Sequence, residues 1–260
     1  MSNILVTGGT GTLGKRVVEY LLNNEDLQIY VLTSKENPGL PAQCQTITGN
    51  LAANTNLKTA LNDIEIVIHC ASNPRNPQKV DVEGTNNLLN ALNRSKINHF
   101  IFISIVGVDK TDYSYYQAKF KVEKMIKESG VPFSILRTTQ FHNLVLNIIH
   151  SLEQSQSHIV VPSGLQFQSV AVQEVADRLG ALVKENPAGL LPDMVGPEVL
   201  TFEEMVKIYL NNQGQNKEVK LLPLEGERIN LFRSEVNISS SEIKGTIRWK
   251  QFLQEIKIKA

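Results

Sequence analysis

One run of glycines decides most of what this chain can fold into. Thr7-Gly8-Gly9-Thr10-Gly11-Thr12-Leu13-Gly14 follows directly on the apolar segment Ile4-Leu5-Val6, and Leu13–Asn23 then carries apolar residues at helical spacing. Glycine lets a strand turn sharply into a helix, brings bare backbone up to a pyrophosphate, and lets the helix pack close on the sheet. The helix N-terminus adds unpaired N–H groups and the positive end of its dipole. The run holds both Gly9-x-Gly11-x-x-Gly14 and Gly8-x-x-Gly11-x-x-Gly14. Between a strand and a helix it predicts a dinucleotide-binding turn, with Gly8, Thr10, Gly11, Thr12, Leu13 and Gly14 against the cofactor.

The rest of the first half continues that rhythm. Expected strands are Asn3–Thr7, Gln28–Thr33, Gln45–Thr48, Glu65–His69, His99–Ser104 and Phe133–Arg137, separated by helical patterns at Leu13–Asn23, Thr55–Asn62, Val80–Asn93 and Ser114–Ser129. Alternation of this kind predicts an α/β fold, a doubly wound parallel sheet in the order 3-2-1-4-5-6. Ligands then gather at the carboxyl ends of the first and fourth strands. From about Phe141 the pattern loosens. It offers a helix, strands near His158–Val161 and Gln168–Val172, a helix over Gln173–Lys184, and a loop over Asn186–Pro197. A capping-box helix start follows at Thr201-Phe202-Glu203-Glu204, then a strand over Glu218–Leu222 and a closing helix over Trp249–Ile256. The expected organisation is a dinucleotide-binding domain over residues 1–139 that takes back 168–184, with 140–260 as a smaller, interleaved lobe covering the substrate.

Composition narrows the function by exclusion. Lys plus Arg and Asp plus Glu each number 26, so nothing global draws the chain to nucleic acid or anionic lipid. No apolar run reaches the roughly 18 residues that a membrane helix needs. Two cysteines, Cys44 and Cys70, make no disulfide framework, and the start Met1-Ser2-Asn3 carries no secretory pattern, so a reducing cytoplasm is expected. The five histidines show no metal-ligand spacing, and no Gly-x-Ser-x-Gly elbow or triphosphatase loop is present. No metal is expected. Oligomeric state is not legible.

Two further features speak to chemistry. After the second expected strand, Leu32-Thr33-Ser34-Lys35 has no acid where an NAD-binding protein bonds the ribose hydroxyl. Ser34 and Lys35 instead suit the extra phosphate, so NADP(H) is the preferred cofactor. Glu36 keeps NAD(H) open if the strand ends later. On the helix from Ser114, Tyr115 and Lys119 stand at i and i+4 and share a face. An ammonium beside a phenol favours the phenolate and brings a tyrosine toward useful acid–base strength. Tyr113 and Tyr116 are the neighbouring alternatives.

With these motifs in hand, the chain resembles the atypical short-chain dehydrogenase/reductase superfamily, in its NmrA-like NAD(P)-binding branch. The likeness also rests on Gly49-Asn50-Leu51, Val67-Ile68-His69-Cys70-Ala71-Ser72, Val82-Glu83-Gly84-Thr85-Asn86 and Ile135-Leu136-Arg137-Thr138-Thr139-Gln140-Phe141. It implies Asn50 and Leu51 near the adenine, Cys70, Ala71 and Ser72 along the cofactor, and Lys119 on its ribose. It further implies Tyr115 as proton donor and a serine that polarises the substrate oxygen. Only Ser104 is offered for that serine, because Ile105 stands where the family's pattern expects it. Arg75, Gln140 and His142 are candidate contacts to a small-molecule substrate. Family members include reductases and non-catalytic sensors of dinucleotide redox state, so an NAD(P)H-dependent reductase is expected, with a sensor acting through a protein partner as the alternative.

Overall fold

A computed structural model describes residues 1–36, 38–53, 57–153 and 157–259, with side chains as far as 256. In chain order the elements are β1 (Ser2–Thr7), α1 (Thr12–Leu21), β2 (Leu27–Thr33), β3 (Gln45–Thr48), β4 (Ile66–His69), α2 (Gly84–Ala91), β5 (His99–Ile105), α3 (Ser114–Glu128), β6 (Phe133–Thr138), α4 (His142–Leu152), β7 (His158–Pro162), β8 (Gln166–Phe167), α5 (Val172–Ala181), β9 (Gly189–Leu190), β10 (Leu200–Thr201), α6 (Phe202–Asn212), β11 (Glu218–Leu222), α7 (Glu227–Arg233) and α8 (Trp249–Lys259). They fall into two compact units.

The first unit gathers Met1–Ser104, Ser114–Arg137 and Val175–Leu191. Its sheet runs β3-β2-β1-β4-β5-β6-β9, a doubly wound α/β arrangement whose order reverses between β1 and β4 as expected. β1 pairs in parallel with β2 and β4, β2 with β3, β4 with β5, and β6 with β9. Ile4, Leu5, Val6, Val67 and Ile68 are wholly buried, as strands covered on both faces must be, and this is why they read as unbroken apolar runs. α1 lays down Leu13, Gly14, Val17, Val18 and Leu21 along one stripe. α3 contributes Ala118, Val122 and Ile126 to the same core as Leu88, Leu89, Phe100 and Phe102.

The second unit holds Ile105–Tyr113, Thr138–Glu174 and Pro192–Ala260. Here β7 pairs in parallel with β11, and β8 antiparallel with β10. Phe167 packs against Phe202 and Phe232 at ring distances of 5.6 and 4.6 Å. The expected capping box is present: the Thr201 hydroxyl accepts from Glu204 N at 3.2 Å, and the Glu204 carboxylate accepts from Thr201 N at 2.8 Å.

Several boundaries differ from the sequence reading, each for a local reason. The helix expected over Val80–Asn93 opens instead with a wide π turn over Gln78–Glu83 before α2, and the Thr85 hydroxyl donates back to the Asp81 carbonyl at the junction. The helix expected over Thr55–Asn62 begins on positions outside the described residues, and its later part is a series of turns anchored by buried Leu57, Leu61 and Ile64. The strand expected near Gln168–Val172 is replaced by β8 and a single bridge between Phe141 and Val170. The loop over Asn186–Pro197 contains β9, a seventh strand. Two residues are too short to print a periodic pattern.

Candidate active site

The glycine turn leaves backbone bare where β1 meets α1. Gly8 has φ +68°, and a Cβ there would fall 2.7 Å from Ala71 N; a Cβ at Gly14 would fall 2.3 Å from the Gly8 carbonyl oxygen. Gly11 N–H donates to Gly8 O at 2.9 Å and closes the turn. Gly11 caps α1 without any side-chain bond, and the first helical turn carries no acid. The helix N-terminus therefore presents unneutralised N–H groups, as an anion requires. Thr12 is exposed there, while Leu13 turns into the core.

Beside the turn lies a cleft of about 180 Å³ that brings together Gly8, Thr10, Ser34, Lys35, Asn50, Leu51 and Ala71. These come from four separate stretches of chain, joined because β1, β2, β3 and β4 are neighbours. Ser34 and Lys35 are exposed at its rim. The Thr33 hydroxyl accepts from Lys35 N at 3.1 Å, and Gly49 N donates to Thr33 O at 2.9 Å, tying the two loops together. Asn87 Nδ2 donates to Leu51 O at 2.7 Å and fixes the far wall. Bare backbone, an uncapped helix start and a polar cleft with a lysine at its rim fit a dinucleotide.

A chain of hydrogen bonds leads away from this turn. Ala71 N–H donates to the Thr7 hydroxyl at 3.3 Å, and that hydroxyl lies 2.6 Å from His69 Nδ1. His69 Nε2 lies 2.8 Å from the Thr85 hydroxyl, which itself donates to the Asp81 carbonyl. Thr85 has therefore spent its proton, so Nε2 carries the hydrogen and Nδ1 accepts from Thr7. His69 is completely buried. That burial, with a smaller push from the Lys119 ammonium, holds its pKa down at about 3, and the ring is neutral.

On the same wide turn, the buried Asp81 carboxylate accepts from Ser72 Oγ at 2.6 Å and from Asn73 N at 3.0 Å. Lys119 Nζ stands 3.5 Å from Asp81 Oδ1, with the two side chains 3% and 1% exposed. The ammonium also donates to Ile103 O at 3.2 Å and lies 4.6 Å above the Phe102 ring. Tyr115, part-exposed, places its hydroxyl 2.9 Å from Ser72 Oγ. Sequence reasoning named Ser72 only as a cofactor contact and missed Asp81. The available signal was an acid in the Val80–Gly84 stretch, opposite a lysine.

The remaining candidates divide. Ser104 does not serve as the expected polariser: it is 1% exposed and donates to Glu123 Oε1 at 2.6 Å, while Arg137 clamps Glu123 with two bonds of 2.8 Å. His142 is likewise not available to a ligand. Its Nε2–H donates to Ile247 O at 2.9 Å, Nδ1 accepts from Ser169 at 2.7 Å, and the ring sits among Trp249 and Phe252 in the core of the second unit. Burial lowers its pKa. Gln140 is buried and accepts from Asn237 at 3.1 Å. Arg75 is exposed on the loop after β4, in a turn closed by Asn73 Oδ1 at 3.0 Å. Burial pushes the Cys70 thiol up to about 12, which favours its protonated form. Tyr116 is buried with its ring edge-on to Tyr115, whereas Tyr113 lines a separate, polar cavity of about 410 Å³ in the second unit with Asp112, Glu227 and Asn230. Among the described residues no group of acids, histidines and cysteines is arranged to hold a metal, and no helix is long and apolar enough to cross a membrane.

Comparison with known proteins gives these features a family. The chain is 27% identical over 236 residues to the photosystem II assembly factor Ycf39 of Cyanophora paradoxa, covering 85% of this chain and 72% of that protein. It is 25% identical over 186 residues to the chloroplastic divinyl chlorophyllide a 8-vinyl-reductase of Cucumis sativus, covering 63% of this chain and 44% of the reductase. The fold matches that of an NADPH-dependent quinone oxidoreductase of Escherichia coli solved with NADPH, with a TM-score of 0.80 over 98% of this chain and 99% of that one, at 17% identity. A family model described as NAD(P)H-binding matches residues 8–185, from the glycine turn to the end of the returning segment. The chain belongs to this NAD(P)H-binding family.

Proposed function

We propose that this protein is an NAD(P)H-dependent reductase acting on a small organic carbonyl, quinone or conjugated alkene. A bound cofactor would supply the hydride. The observation that carries the reading is the Tyr115 hydroxyl: it bonds Ser72, one residue beyond the Ala71 that packs on Gly8. A phenol that can give up a proton thus stands in the same loop system as the bare turn. In this reading Gly8 and Thr10–Gly14 hold the pyrophosphate, Asn50 and Leu51 the adenine, and Ser34 and Lys35 the 2′-phosphate, so NADP(H) binds more tightly than NAD(H). Tyr115 is the proton donor and Ser72 its hydroxyl partner. Lys119 holds its charge beside Asp81. Arg75, exposed on the loop after β4, is available to an anionic substituent of the substrate. Free Cys44 and Cys70 support a reducing, cytoplasmic setting.

The test is fluorescence titration with NADPH and NADH, then a panel of quinones, carbonyls and activated alkenes with wild type and Tyr115→Phe. We expect tighter NADPH binding that Lys35→Ala weakens by about tenfold, as loss of a phosphate-paired lysine predicts. Turnover should fall by about a hundredfold or more in Tyr115→Phe. Turnover left intact in that variant would remove Tyr115 from the mechanism. A second reading draws on the relative named as an assembly factor: a non-catalytic sensor of dinucleotide redox state, acting through a protein partner. It prevails if no substrate is reduced and a partner binds only one redox state.

A further inference from the structure

We propose that Asp81 is a positioning residue that fixes the direction of the hydrogen-bond chain ending on Tyr115, keeping the phenol as donor and holding Lys119 as its own counter-ion. This rests on Tyr115 being the proton donor. The argument is one of proton accounting. Asp81 accepts from Asn73 N and Ser72 Oγ and faces the Lys119 ammonium, so it stands as a carboxylate with no proton to give. Ser72 has one proton, and it goes to Asp81 at 2.6 Å. At the 2.9 Å contact with Tyr115, Ser72 then only accepts, and the phenol donates. A bond of that sense stabilises the neutral phenol, the form able to protonate a substrate. Lys119 is meanwhile engaged by Asp81, the Ile103 carbonyl and the Phe102 ring. The i, i+4 spacing to Tyr115 suggested an ammonium dedicated to the phenol; the buried carboxylate redirects it.

The test reads Tyr115 itself, without turnover. Phenolate absorbance is followed against pH in wild type, Asp81→Asn and Asp81→Asn/Lys119→Met. Subtracting Tyr115→Phe in each background isolates one tyrosine. The charged and titratable groups facing this chain are Asp81 from the wide turn, Lys119 from α3, and His69 and Cys70 from the end of β4, with the Tyr116 ring beside the phenol. An asparagine can donate to Ser72, which frees Ser72 to donate to a phenolate, and Lys119 loses its counter-charge. The Tyr115 transition in Asp81→Asn should therefore move down by about one to two pH units, and the double variant should recover at least half of that shift. A transition unmoved in Asp81→Asn, or one that Lys119→Met leaves unchanged, overturns the proposal. Should Asp81→Asn not fold, Ser72→Ala, at an exposed position, reads the same chain: losing the acceptor must also lower the transition, and no movement refutes it. A shift as expected in a protein that reduces nothing would sink the reductase reading alone.

Discussion

His69 offers a direct test of the buried network, because its stability effect has a definite sign. The ring is fully buried with both nitrogens bonded, and its pKa is held at about 3, whereas an exposed histidine titrates near 6.5. Between those two values the unfolded chain takes up a proton at this residue and the folded chain does not. Stability is therefore undiminished above the unfolded value and falls as the pH drops below it, continuing until the folded value is reached. Each pH unit removes about 1.4 kcal/mol, so this one side chain costs the fold about 2 kcal/mol at about pH 5. Burial also lowers the pKa of His99 and His142, which adds loss in the same direction. The measurement is urea unfolding at about pH 7.5 and about pH 5 for wild type and His69→Asn, whose amide oxygen can still accept from Thr7. Carboxylates and the other histidines contribute equally to both proteins. The variant should be less stable at the higher pH, yet its loss on acidification should be smaller by about 2 kcal/mol. Losses equal within about 0.5 kcal/mol would refute the neutral, buried assignment of His69.

Other consequences are equally open to measurement. Gly14→Ala should abolish measurable cofactor binding and cost about 2 kcal/mol or more in unfolding free energy, because its Cβ meets backbone at 2.3 Å, while Gly11→Ala, whose Cβ meets only Gly8 O at 3.2 Å, should be far milder. Glu123→Gln leaves Arg137 without its charged partner in the core and should lower stability by about 3 kcal/mol, seen as a fall in Tm. Thr201→Ala removes the hydroxyl half of the α6 capping box, leaving the backbone N–H to Glu204, and should cost about 1 kcal/mol with no effect on cofactor titration.

The sheet was legible because its strands are buried on both faces, which leaves runs such as Ile4-Leu5-Val6 and Ile66-Val67-Ile68 without polar interruption. The glycine turn was legible for a steric reason: Gly8 and Gly14 stand where a Cβ would meet backbone. What escaped was structure too small or too irregular to print a period. The two residues of β9 owe their place to pairing with Ser134 and Ile135, and the wide turn at Gln78–Glu83 follows no 3.6-residue rhythm.

The site was legible by residue type more than by role, and serine shows why. Ser104 lies near the carboxyl end of β5 and Ser72 just beyond that of β4, and a sequence records their hydroxyls alike. What separates them is the acid each meets: Ser104 donates to Glu123, which Arg137 already clamps in the core, whereas Ser72 donates to Asp81 at an exposed position and still has a lone pair for Tyr115. The lysine follows the same logic. At i+4 from Tyr115 it shares that residue's helical face, but a buried carboxylate attracts an ammonium more strongly than a neutral phenol does. The acid that engages both groups, Asp81, lies 9 residues after Ser72 and 38 before Lys119, on a turn whose irregular winding points it inward. Chemistry of this kind depends on which donor has already spent its proton, and that is a property of the folded network.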